Sequence, residues 1–581
     1  MSKESAHQIA SWKDYPENNE WNTDENWEGS EVPTEVAMFV NSGITCINFS
    51  KLSKAVIEKI LFKKGAPSYN FTITVNSDTP ALTITGEGIV NESGHIQSFT
   101  VASKGKNYWH PQLKFAGKAS AGSYNVSYYS GPESLENGFG GGIIGFCDHT
   151  TAGAAMFTVR TGAQAPPREN STVGGEVSFS DFSNAGTSRF FIFGTLGKDG
   201  DTFGNTVFHD QASAAHAVFT NMGGTVPKGD GGNTQLYNNA TAAFGIFNNY
   251  GGVCPEANGG DVAFDGNATG GNGQFYNRVA TAKGAFGGVT SFNNNPPFMQ
   301  GSGAKAGEGY YYNYGASQIE HGGGGHTEFT AKYGSPTAEN AHIFNYGSIL
   351  KDKSTAGHTI FSISPPTEYY PSAGNAVIWN YPGLGKEGAG GFTEFSVYEK
   401  GTCLGVPNAG QAVFHNVGAS VEGASGGFTS FNGISDAANA KLIAYGGINQ
   451  GSGGMISFSD KSTGAGASIE LMGNGTLDLS KHKGKLTVAR MILTGGMLNI
   501  QLGRKITSLH IDTELVMNAP GTTFCFVKDE KGGFEYNIKF KILSASNLSE
   551  YQASQFTGNR IHGIAPTFSI KGKDLFVAYL K

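Results

Sequence analysis

Six positions two residues beyond a recurring apolar anchor carry an acid or an amide: Asp148, Asp181, Asp210, Asn238, Asn294 and Asp460. Gathered in space, such carboxylates would supply hard oxygen ligands for calcium, or the paired acids of a polysaccharide-cleaving site. Asp148, Asp181 and Asp210 are therefore the candidate metal ligands. The same residue types also cap backbone amides at corners. A column of copies fits that structural role better, because an active site needs one cluster. The run HGGGGH, His321 to His326, pairs two histidines around glycines. It lacks a Gly-x-Ser-x-Gly elbow and sits where the glycine pair of the repeat belongs, so it reads as a turn. Tyrosines cluster as Tyr310, Tyr311, Tyr312 and Tyr314 in GYYYNYG, and as Tyr369 and Tyr370 in EYYPSAGN. Both stretches look like inserted loops, where amphipathic rings suit contact with a glycan or a protein. The competing reading folds these rings back over the scaffold.

No phosphate loop, nucleophile triad or zinc signature occurs, so no catalytic residue is assigned and no cofactor beyond calcium is expected. Cys46, Cys147, Cys254, Cys403 and Cys525 are widely spaced and odd in number. They form neither a metal set nor a disulfide framework and are expected to be buried small apolar residues.

These residues need a scaffold, and the composition points to one. Glycine numbers 86 of 581 residues and phenylalanine 40; average glycine usage is ~7%. Disordered glycine-rich tracts lack so many aromatics, so the chain reads as all-β with tight turns. The net charge of −7 gives no electrostatic reason to expect nucleic acid or an anionic membrane surface. No apolar run is long enough to make a membrane-spanning helix, and no signal-type apolar segment opens the sequence.

A glycine pair followed by an alternating run ending in phenylalanine repeats along the middle of the chain. The anchors are Phe146, Phe179, Phe208, Leu236, Phe264, Phe292, Phe329, Phe361, Phe395, Phe431 and Phe458, spaced 27 to 37 residues apart. A second alternating run, such as AVFTN or VIWNYPG, follows in each unit. Period-two alternation means strands, and glycine or asparagine supplies the bends. The predicted fold is a single elongated parallel β-helix solenoid, right-handed, with the ten phenylalanines stacked in one internal column. A β-propeller is the rival, but a unit near 28 residues is too short for four strands and their turns. Residues 1–137 are expected to form the N-terminal cap and first coils. Residues 138–475 form the repeats, and 476–581 the closing coils and a C-terminal β cap. Leu52 to Leu61 also fits helical spacing, but strand is preferred there.

The Trp-rich start, LTITGEGIVNESG, the glycine-pair repeats and the ending FKILSASNLSEYQASQFTGNRIHGIAPTFSIKGKDLFVAYL resemble bacterial autotransporter-type passenger β-helices over most of the chain. The glycine pairs are also similar to chlamydial polymorphic membrane protein repeats, although Phe-x-Asp/Asn largely replaces their Phe-x-x-Asn. The resemblance implies a non-enzymatic rod at the cell surface or secreted, used for adhesion, display or self-assembly, with a glycan or host-surface protein as partner. Two alternatives stay open: a polysaccharide-degrading β-helix enzyme, and a secreted effector that meets a host protein through its tyrosine-rich stretches.

Overall fold

A computed structural model describes residues 9–50, 54–104, 110–138, 140–163, 174–197, 203–293, 302–365, 367–397, 405–502, 507–518, 522–528 and 534–581. Asn294 and Cys403 lie outside the described residues. The chain divides into two compact units: Met1–Phe275 with Ala280–Val289, and Tyr276–Val279 with Thr290–Lys581. The described residues are strands and turns with four short 3-10 segments and no α-helix. Each unit is a parallel β-helix.

In the first unit, one strand per coil stacks in register from Gln112–Phe115 through Ile143–Phe146, Glu176–Phe179, Asn205–Phe208 and Asn233–Leu236 to Asp261–Phe264. A second strand stacks from Gln97–Ser103 to Ile246–Asn249. A third contact is a single-residue bridge that climbs through Ser120, Thr151, Asn184, Ser213, Thr241 and Thr269. The second unit repeats the plan, with first strands from His326–Ala331 to Met455–Phe458 and second strands from Tyr310–Asn313 to Lys441–Ala444. Parallel pairing between successive repeats rules out propeller blades, whose sequential strands pair antiparallel. Ala55–Phe62 is a strand paired in parallel to its neighbours on both sides, so the β reading of that segment holds.

The ten ladder phenylalanines are all buried. In the first unit the rings from Phe115 to Phe208 stack 4.7 Å apart, and in the second those from Phe292 to Phe458 stack 4.6–4.9 Å apart. Burial of each ring contributes roughly 1.5–3 kcal/mol. One correction applies. The core holds two columns, not one: Phe99, Tyr128, Phe157, Phe190, Phe219, Phe247 and Phe275 form another. The columns meet edge to face at 5.7–6.1 Å, because the inward positions of the second strands carry rings too.

The glycine pairs pack against the backbone carbonyl at the end of a second strand, which from Asn221 to Asn416 belongs to a buried asparagine. In the second unit Asn277, Asn313, Asn345, Asn380 and Asn416 each donate to or accept from the next at 2.8–2.9 Å. Their carbonyl oxygens also accept from Thr290, Thr327, Thr359, Thr393 and Thr429 at the start of the following strand. The chain must pass so close to this ladder that a Cβ added at Gly325 would overlap the Asn277 backbone carbonyl. Glycine alone fits.

A second correction concerns the cysteines. Cys46 is exposed, and Cys147, Cys254 and Cys525 are half-buried rather than core residues. Cys46 opens its strand at an outward-facing position, and Cys147 follows the inward Phe146, so alternation turns both away from the interior.

Candidate binding face

The aspartate column is a corner device. Asp148, Asp181, Asp210, Asn238 and Asp460 sit at φ 54–56°, in the left-handed region, where Gly266 and Gly433 occupy the equivalent corners. The carboxylates of Asp148, Asp181 and Asp210 each cap the coil before it, while that of Asp460 pairs with Lys483 at 2.6 Å. Asp148 Oδ2 accepts from the Gly117 amide at 2.7 Å, Asp181 Oδ2 from Asp148 at 3.0 Å, and Asp210 Oδ2 from Asp181 at 3.3 Å. The Gly117 amide is the main reason that the Asp148 carboxyl titrates below its usual range. Cys147 Sγ joins Asp148 and Asp181 in a group whose ligand atoms lie within 4.8 Å, with both carboxylates exposed. Burial pushes the Cys147 thiol up, against the opposing pull of Lys114, which keeps it in its weakly ligating protonated form.

The HGGGGH run is a corner leading into a strand, as its glycines suggest. His326 opens that strand, and its ring stacks at 4.8 Å on His358 of the next coil, which stacks in turn on Phe392. Burial lowers the pKa of His326 to about 4. Burial first, and then the neighbouring His326, lowers that of His358 to about 3.

The tyrosines are placed differently from expectation. Tyr310–Asn313 is a repeat strand in register with His342–Asn345, not an inserted loop. Tyr311 points inward, is fully buried and donates its hydroxyl to the Ala306 carbonyl at 2.8 Å, so it is unavailable to a partner. Tyr369 and Tyr370 lie on the approach to the Ser372 bridge, where their amides bond to Thr367 and Ser335. Tyr310, Tyr312 and Tyr314 do share an outward face, and they share it with residues that sequence reasoning passed over.

That face belongs to the second strands of the second unit. Tyr276, Tyr312 and Phe344 stack at 4.9 and 5.1 Å; Trp379 lies in register above Phe344 and stacks on His415 at 3.8 Å. Two residues on, Tyr314, Tyr346 and Tyr381 form a parallel column at 5.2 and 5.1 Å. Tyr445 closes the band through a 2.8 Å hydrogen bond shared with His415 Nδ1. At the other end, the Arg278 guanidinium lies 4.6 Å from the Tyr314 ring centre and 5.3 Å from that of Tyr276. Each ring of the band is half-buried.

The signal for this band is a triplet, aromatic–Asn–Tyr, in Tyr312-Asn313-Tyr314, Phe344-Asn345-Tyr346 and Trp379-Asn380-Tyr381. Alternation turns the asparagine into the ladder and both aromatics outward. In the first unit the corresponding triplets are Thr220-Asn221-Met222 and Asn248-Asn249-Tyr250.

Burial raises the pKa of Tyr346 to about 12 and also pushes up Tyr312, Tyr381 and Tyr445; at Tyr314 burial outweighs the opposing pull of Arg278. Burial and then Lys441 depress His415. Near neutral pH the band is thus a row of protonated hydroxyls and a neutral imidazole on an apolar bed. Such a surface can cover the apolar side of a ligand while its hydroxyls donate and accept hydrogen bonds. Comparison with protein-family models and with curated proteins finds no match for this chain.

Proposed function

We propose that this protein is a β-helix binding scaffold of the adhesion or display type, working at a bacterial surface or in secreted form. Its contact face is the aromatic band from Tyr276 to Tyr445, and its ligand is a glycan chain. The observation that supports this reading is the band itself. Two columns of half-buried rings on rigid strands offer apolar contact and regularly spaced hydroxyls at little cost in ordering entropy. A repeating ligand matches a repeating surface. The resemblance to autotransporter passengers supports the surface or secreted setting. The aspartate column gives less support to glycan cleavage, because its Oδ2 atoms are engaged by backbone amides.

The test is binding to a panel of soluble polysaccharides by calorimetry or affinity electrophoresis, with wild type beside Trp379→Ala and Tyr346→Ala. Both rings face outward, so the variants should stay folded. Wild type should bind at least one glycan, and each variant should weaken that binding about tenfold. A folded wild type that binds no member of the panel would sink the reading, as would variants that bind unchanged.

A further inference from the structure

The geometry points to a carboxylate-bearing polysaccharide as the ligand of the aromatic band, with Arg278 as the residue that recognises the acid. This rests on the band being a glycan-contact face and adds the charge of the ligand to it.

Arg278 is the unmatched charge of that face. Lys441, at the opposite end, pairs with Glu470 at 3.6 Å, and Lys353 pairs with Glu394 at 3.4 Å. Among the described residues no carboxylate pairs with Arg278, and its buried Nε has no hydrogen-bond partner. Arg278 is half-buried, and a charge drawn partly out of water favours an anionic partner. The rings of Tyr276 and Tyr314 supply cation–π attraction and fix the plane of the fork, and a side-chain hydrogen bond to Tyr314 occupies only part of its donor set. The fork is therefore preset for a planar anion, and its donor spacing suits a carboxylate bidentately. The hydroxyls that continue from Arg278 along Tyr314, Tyr346 and Tyr381 are uncharged and raise no repulsion against the rest of an acidic chain. A uronate residue seated on Arg278, with its neighbours lying along the two columns, satisfies both parts of the site.

The experiment compares alginate with its methyl ester, which keeps the sugars and removes the charge, on wild type, Arg278→Gln, Arg278→Lys and Trp379→Ala. A melting curve for each variant confirms the fold, and Arg278→Lys keeps the charge and the aliphatic stem should Arg278→Gln unfold. Expected results are that wild type prefers alginate over the ester, and that Arg278→Gln weakens alginate binding about ten- to a hundredfold but leaves the ester unaffected. Arg278→Lys should restore part of the loss, and added salt should erode the preference. Equal binding of alginate and ester, or an Arg278→Gln variant that keeps the preference, overturns the inference. In that case loss of binding to both polymers in Trp379→Ala still upholds the band as a glycan face. A wild type that binds neither alginate nor ester overturns the inference alone if other glycans in the panel bind, and removes the band reading as well if none does.

Discussion

Thr206 in the first unit and Thr359 in the second hold the same slot on their first strands, yet their hydroxyls differ in fate. Thr359 donates to Asn345 Oδ1 at 3.0 Å, whereas the buried Thr206 hydroxyl has no partner. The reason lies one strand earlier. Ile192 stands where later coils carry the ladder asparagine, since it pairs in register with Asn221. In the second unit the ladder frays where Ala444 follows Asn416, which leaves the Asn416 amide nitrogen unpartnered. Thr→Val removes only the hydroxyl at nearly constant volume, so the two sites should respond in opposite directions. Thr359→Val should lower stability by about 1 kcal/mol, and Thr206→Val should be neutral or stabilising by a similar amount. Denaturant titration of the two variants checks this, and equal losses would contradict the ladder account. At this scale the aspartate corners were legible in the sequence, because Asp, Asn and Gly alternate at one position and share a tolerance for positive φ. The asparagine ladder was not, although every asparagine stood in plain view. A polar residue at a strand end reads as a turn unless its partners, tens of residues away, are known.

For the strands, alternation alone located the inward phenylalanines of the first strands in each unit. It placed the tyrosines wrongly because three consecutive rings break the polar–apolar pattern. Three neighbouring tyrosines in one strand must divide between inside and outside, and they do, with Tyr311 in and Tyr310 and Tyr312 out. The histidine pair at the start of two adjacent first strands carries a pH prediction. Folding lowers both pKa values, to about 4 for His326 and about 3 for His358, against about 6.5 for an unperturbed imidazole. Between these limits the unfolded chain binds more protons than the folded one. Stability from this pair is therefore complete above about pH 6.5 and declines as the pH falls toward 4 and 3. Replacing both residues by phenylalanine, which already follows them at Phe392 and Phe428, should flatten that slope. Melting temperatures measured from pH 7 to pH 4 test it, and a double variant with an unchanged slope would remove these histidines as its source.

Taken whole, a stack of parallel strands must protect its terminal edges. In the first unit Trp12, Trp21 and Trp27 are fully buried and pack edge to face at 5.1 and 4.9 Å, and Trp21 stacks on Phe49 at 5.3 Å. In the second unit the closure is a change of direction. Asp574–Tyr579 pairs antiparallel with Phe540–Ala545 and forms a hairpin with Pro566–Lys571. The outermost strand begins with proline and ends with lysine, both poor templates for another chain. Removing residues 566–581 should leave the Phe540–Ala545 edge open and produce concentration-dependent association in light scattering. A truncated chain that stays monomeric would show that the hairpin is not what guards this edge. The sequence indicated distinct ends through their charge and tryptophan content, but not this reversal, which depends on long-range pairing.

The spacing of the asparagines also makes length negotiable. Asn345 and Asn380 lie 35 residues apart, one full turn of the coil. Excising residues 346–380 would join Asn345 to Tyr381 and bring matched positions together in every column. The shortened protein should fold with the same circular dichroism per residue, whereas a cut of half that size should not. Gene-level gain or loss of such segments would lengthen or shorten the outer aromatic strip in whole steps, so its reach could evolve without redesign of the interior.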